Sequence, residues 1–190
     1  MSQGAVALVA SGVTKITYGH SNSEPDYLGW DLLAMLKTVL VTPAQEAAVK
    51  AQVNALVGLP STRDVTDTEL GQITAAHPEI TSRALLRAKL RALLGDIPGT
   101  LNFGIYEDYV AFNNDPGLTQ LDWGYLVDFD ARVFEIYRGN QFGAPTVGRL
   151  VGLPQATGFG MRQLYPLQRV GLFTFTQVNA ATLPTRWWAN

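Results

Sequence analysis

Apolar residues follow two rhythms along this chain. Ala5-Val-Ala-Leu-Val-Ala10 is a continuous run, Ser11-Gly12 interrupts it, and Thr14–Tyr18 resumes with β-branched and aromatic side chains. Two such runs across a Ser-Gly turn predict a β-hairpin. The first run does not alternate, which predicts a strand covered on both faces. The rhythm then changes to fours, with Leu28, Leu32, Leu36 and Leu40 forming a helical stripe behind Ser23-Glu-Pro-Asp26, an S-x-x-D capping pattern. Thr42-Pro-Ala-Gln45 predicts a second helix, running to about Leu56 and stopped by Gly58-Leu-Pro60. Thr66-Asp-Thr-Glu69 opens a third that ends before Pro78, and Thr81 or Ser82 opens a fourth that runs through Leu94 to Gly95. Short runs return at Leu121–Phe129 and Arg132–Tyr137, joined by Asp130-Ala131, a second hairpin. Residues 139–160 read as a long glycine-rich loop and Pro166–Val178 as a last strand or pair of strands. The Leu183–Trp188 end reads as an aromatic tail docked on the body.

The order hairpin, helical insert, hairpin, loop, strand predicts an α+β fold. One antiparallel sheet is built from the N-terminal hairpin (5–18) and the C-terminal hairpin (121–138). The helical insert, about 24–95, packs on one face. A length of 190 residues fits one domain over 1–190.

Composition narrows the chemistry. Apolar residues make up 47% and charged residues 16%, enough for a core and too apolar for disorder. Net charge is −2, so nucleic acid is not an expected partner. There is no cysteine, which excludes disulfides, thiolate metal sites and cysteine nucleophiles. No signal peptide and no 18-residue apolar stretch is read, so the expectation is a soluble cytoplasmic protein without a membrane partner. No phosphate-binding glycine loop, nucleophile elbow or zinc-protease motif occurs. No cofactor and no metal are expected.

Several residues are candidates for function. Arg83, Arg87 and Arg91 recur at i, i+4, i+8 on the fourth helix, with Lys89 nearby, and such a stripe can hold a phosphate-bearing ligand. A solvated helix face paired with acids is the plainer account. Asp128 and Asp130, two apart on a strand end, could hold a hard cation, although Asp130 also suits a tight turn. His77, before Pro78, suits a helix end. The chain has only one other histidine, His20, in the corner His20-Ser-Asn22 that leaves the first hairpin. Ser2, exposed by removal of Met1, would combine a hydroxyl nucleophile with its own α-amine.

Two resemblances follow from these motifs. Ser11-Gly-Val-Thr-Lys-Ile-Thr-Tyr-Gly-His20, then Pro25 and Leu28-Gly29, then Asp122-Trp-Gly-Tyr-Leu-Val-Asp-Phe-Asp130 with Phe134-Glu-Ile-Tyr-Arg-Gly139, and Tyr165-Pro-Leu167 with Leu183-Pro184 run through nearly the whole chain. In this order they resemble uncharacterised proteins of actinobacteria and their phages, which carry a "NHWDSYPSGLG"-like corner and an "EWGYVVDLD…FEVYRG" hairpin. That family implies the fold more than any activity. This chain has Asn22 where that corner has an acid. More loosely, residues 2–22 resemble the N-terminal nucleophile hydrolases, which implies Ser2 as nucleophile with His20 or Asn22 orienting it or stabilising an oxyanion.

The leading expectation is a small binding protein of a phage- or mobile-element-associated family. Its ligand is a small anion such as a nucleotide, or a protein partner, held by His20, Asn22, Arg83, Arg87, Arg91 and Arg138. The alternative is an amide hydrolase using Ser2. A third reading is an assembly protein that forms homo-oligomers through an edge strand or Trp187-Trp188.

Overall fold

In the computed structural model, which describes residues 2–19, 22–61, 63–108, 120–157 and 163–179, the two hairpins meet in one sheet. Strands β1 (Gly4–Ala10) and β2 (Val13–Gly19) pair antiparallel. The two residues between them, Ser11 and Gly12, both have positive φ, 54° and 75°. That is the turn geometry that matches strand twist. Strands β5 (Trp123–Asp128) and β6 (Val133–Arg138) form the second hairpin. With β9 (Gln168–Thr174) the spatial order is β2-β1-β5-β6-β9.

The fold is α+β, and the sheet is mixed rather than antiparallel throughout. β1 and β5 lie side by side in parallel, from Gly4 opposite Trp123 to Val9 opposite Asp128. Parallel neighbours need a long crossover, and the helical insert between the hairpins supplies it.

The inner face of the sheet carries Val6, Leu8, Tyr125, Val127, Phe134 and Ile136. Against it packs α1 (Trp30–Val39) through Leu32, Leu33 and Leu36, which are almost wholly buried. Phe175 and Val178 of the terminal helix α6 (Phe175–Asn179) join this core. The predicted last strand therefore divides into β9 and a helical turn. α2 (Pro43–Ala55) begins at Thr42, whose hydroxyl accepts from Gln45 N–H, as its T-P-x-Q pattern predicts. Lys15 closes the other end of α2, donating to the carbonyls of Asn54 and Leu56 at 2.8 and 2.5 Å.

Two parts of the insert differ from the pattern-based reading. Ser23 does not cap a helix. It is fully buried, its hydroxyl donates to Gly19 O, and a π-helical turn, Pro25–Gly29, precedes α1. The residues around the expected helix stops also have structure of their own. Val57–Pro60 is β3, parallel to β4 (Ile105–Asp108), and α5 (Ile97–Phe103) leads into β4. With α3 (Asp67–Ala76) and α4 (Arg83–Ala92) these strands enclose a second core of Leu59, Ile73, Ile80, Leu86, Leu90 and Phe103. Two short strands, β7 (Ala156–Thr157), inside the stretch read as a long loop, and β8 (Gln163–Leu164), just after it, pair antiparallel.

Candidate functional site

The fourth helix does what its spacing predicts. Ser82 caps it by accepting from Leu85 N–H, and Leu86 and Leu90, one turn apart, point into the second core. Arg87 and Arg91 each directly follow a residue of that stripe and Arg83 lies one turn before Arg87, so the three rim its edge. They line a groove of about 340 Å³ together with Arg63, which comes from the segment after β3. The floor is apolar: Leu59, Leu86 and Leu90.

Three of the four guanidinium groups already face carboxylates. Arg63 makes a two-pronged contact with Glu69 at 2.6 and 2.8 Å. Glu69 is also the third residue of α3 and accepts from Thr66 N–H, completing the capping box read from T-x-x-E. The Arg63 hydrogen bond first, and those from Thr66 next, hold the Glu69 carboxyl at a pKa of about 2. Arg83 donates to Val65 O and to Asp67 at 2.8 and 2.6 Å, and Arg87 pairs with Asp64. Arg91 has no ion-pair partner among the described residues. Asp64, Asp67 and Arg87 are well exposed, so these pairs are readily exchanged.

The other expected site residues are not brought to this groove. Asn22, at φ +54°, lines a separate cleft of about 660 Å³ between α1 and the Leu94–Asp96 turn. Arg138 lies over the Trp123 ring at 6.0 Å, at the end of β6. His20, Gly158-Phe-Gly160 and the Leu183–Trp188 end lie outside the described residues. His77 ends α3, with its N–H on Ile73 O and its ring 4.4 Å from that of Phe103.

The acids of the second hairpin exchange the roles their spacing suggests. Asp128 accepts from the N–H groups of Asp130 and Ala131 and so caps its own turn. Asp130 reaches across to the first hairpin and accepts from Ser11 and Gly12 N–H at 3.0 and 2.8 Å. Lys50 adds an ion pair at 2.5 Å. The position a hard cation would take beside Asp128 holds a guanidinium instead. Arg149 donates to Asp128 and to Glu135, 2.7 Å each, and Arg169 donates to Glu135 at 3.2 Å. Asp128 and Glu135 are both buried. Burial opposes the charged form of Glu135, but hydrogen bonds from Tyr137, Arg149 and Arg169 outweigh it and keep its pKa below the usual value. Arg149 is the only charged residue between 139 and 160, and that isolation is the signal pointing to it in the sequence.

At the opposite end of the sheet, Ser2 is buried at the head of β1. Its hydroxyl accepts from Ser23 N–H at 2.9 Å, and Tyr125 donates to Ser23 O at 2.7 Å. A hydrogen bond from the Ser2 side chain is the main cause that lowers the pKa of Glu24.

Among the described residues no cluster of three His, Asp or Glu side chains could hold a metal ion, and no helix is long and apolar enough to cross a membrane. No protein-family model, curated protein or solved structure matches this chain.

Proposed function

We propose that the chain is a small binding protein whose ligand is an anion with a flat or apolar body, such as a nucleotide, seated in the groove between the β3–α3 segment and α4. The observation that supports this reading is the convergence of four guanidinium groups, from two separate segments, on one concavity with an aliphatic floor. Guanidinium groups bind phosphate oxygens two at a time, and the floor of Leu59, Leu86 and Leu90 suits a ring. Arg91 is in no ion pair among the described residues, and the four arginines outnumber the two carboxylates, Asp64 and Glu107, that line the same groove. The exposed partners of Arg83 and Arg87 can yield to a phosphate. Thermal denaturation with inorganic phosphate and a panel of nucleotides tests the reading. A rise in Tm that disappears in the Arg87→Gln/Arg91→Gln double variant, and persists in Arg138→Gln, supports it. No rise with any of them, or a rise that survives the double variant, overturns it.

The place of Ser2 at the head of β1, fixed by Ser23 N–H, is the observation behind a second reading, an amide hydrolase with Ser2 as nucleophile. Attack by that oxygen needs a mature chain that starts at Ser2, so that the α-amine can take the hydroxyl proton. A mass spectrum showing Met1 retained overturns it. So does labelling by a β-lactone probe that is undiminished in Ser2→Ala.

A further inference from the structure

The outer face of the sheet is hollow at its centre. Strand register sets Ala5 beside Gly124 and Ala7 beside Leu126. Ile16 of β2 and Tyr137 of β6 stand in the flanking rows. The 145–153 segment crosses above, and Leu150 and Leu167 descend toward the floor without filling it. A cavity of about 170 Å³ remains, and the walls it presents are carbon.

The charges at its rim are satisfied. Arg149 is held by Asp128 and Glu135, and Glu135 also takes Arg169, so two carboxylates face two guanidinium groups. The Tyr137 hydroxyl donates to Glu135 at 2.6 Å and accepts from Arg149 N–H at 3.3 Å. Among the described residues a charged ligand would find no unpaired counter-charge here. An enclosed engineered aliphatic cavity of about 150 Å³ stays dry and takes up benzene or xenon, and this partly open one has a similar volume and walls. We infer that this cavity is a binding site for a small uncharged apolar molecule about the size of one aromatic ring, held under the segment that Arg149 fastens to the sheet.

The test is a methyl-resolved NMR titration of the intact protein with benzene and with xenon, alongside thermal denaturation. The expected result is a set of shifts confined to the methyls of Ala5, Ala7, Ile16, Leu126, Leu150 and Leu167. At a benzene concentration about 100 times its Kd, Tm should rise by several degrees. Ala7→Leu, which fills the floor, should weaken benzene binding roughly tenfold or more. Leu150→Trp fills the same space from above and serves if the first variant does not fold. Benzoate should bind far more weakly than benzene. The inference is overturned if neither probe shifts these methyls, if the shifts lie elsewhere, if a folded filled variant binds benzene unchanged, or if benzoate binds as well as benzene.

Discussion

Replacing Arg149 by Met removes two guanidinium–carboxylate hydrogen bonds of 2.7 Å, to Asp128 and to Glu135. Hydrogen bonds to charged groups contribute about 1.5–3 kcal/mol each, so the gross loss is about 3–6 kcal/mol. Two features reduce it. The Arg149 side chain is 42% exposed, so water and salt screen its contribution. Both carboxylates also keep other donors: backbone N–H groups on Asp128, and Tyr137 and Arg169 on Glu135. Taking about half leaves about 1.5–3 kcal/mol at pH 7, which is a fall in Tm of about 3–12 °C for a chain of this size. Urea unfolding followed by circular dichroism measures it. The pH dependence has a definite sign. Glu135 has a folded pKa below its unfolded value. Its contribution is therefore fully present above the unfolded pKa of about 4.3 and is lost as pH falls through the folded one. The difference between wild type and Arg149→Met should shrink below about pH 4. A loss under about 0.5 kcal/mol at pH 7, or one that stays constant on acidification, refutes the account of Arg149 as the partner of buried charge.

Gly139→Ala should destabilise by on the order of 3 kcal/mol or more, because an added Cβ would lie 1.5 Å from the Leu121 carbonyl oxygen; an unchanged urea midpoint refutes this. Thr66→Ala removes the N-cap of α3 and should cost about 1 kcal/mol in the same assay, with Thr66→Ser restoring most of it. Asp130 should titrate near pH 2 by carboxyl NMR, because Lys50 first, and then Gly12 and Ser11 N–H, hold its pKa at about 2. Its stabilisation is thus present above about pH 4 and lost toward pH 2, and Lys50→Met should move the midpoint upward; a midpoint at the ordinary value of about 3.9 in wild type refutes the contact.

Local signals in the sequence located local structure well. Thr42, Thr66 and Ser82 all cap helices, because a cap is decided by a side chain and a backbone N–H three residues apart. The same pattern at Ser23 is overridden. Its hydroxyl is drawn to Gly19 O, and its Cβ occupies the space where Gly4 lacks one. The parallel pairing of β1 with β5 could not be read, since each hairpin is locally complete and neither specifies its neighbour. β3 and β4 were hidden for a related reason: Val57-Gly-Leu-Pro60 carries the glycine and proline that usually stop elements, and pairs only with residues almost fifty positions later. In the groove, the helical period revealed Arg83, Arg87 and Arg91 but not Arg63, which a loop delivers. Arg149 likewise reaches Asp128 and Glu135 from a segment with no periodicity.

The pairing of Ala5 with Gly124 also says something about assembly in time. Each hairpin can close on itself within microseconds, since its strands are joined by two to four residues. Uniting the hairpins means bringing together positions 119 residues apart, before any contact between them rewards the ordering. That entropic cost grows only as the logarithm of loop length, by about 0.6 kcal/mol per doubling. The cost of closing the sheet therefore depends little on how much chain lies between its halves, provided α1 and α5 remain to cover its core. The α3–α4 part that carries the arginine groove has its own core, so it could lengthen or shorten while the sheet stays as it is, and a new binding surface could be built there.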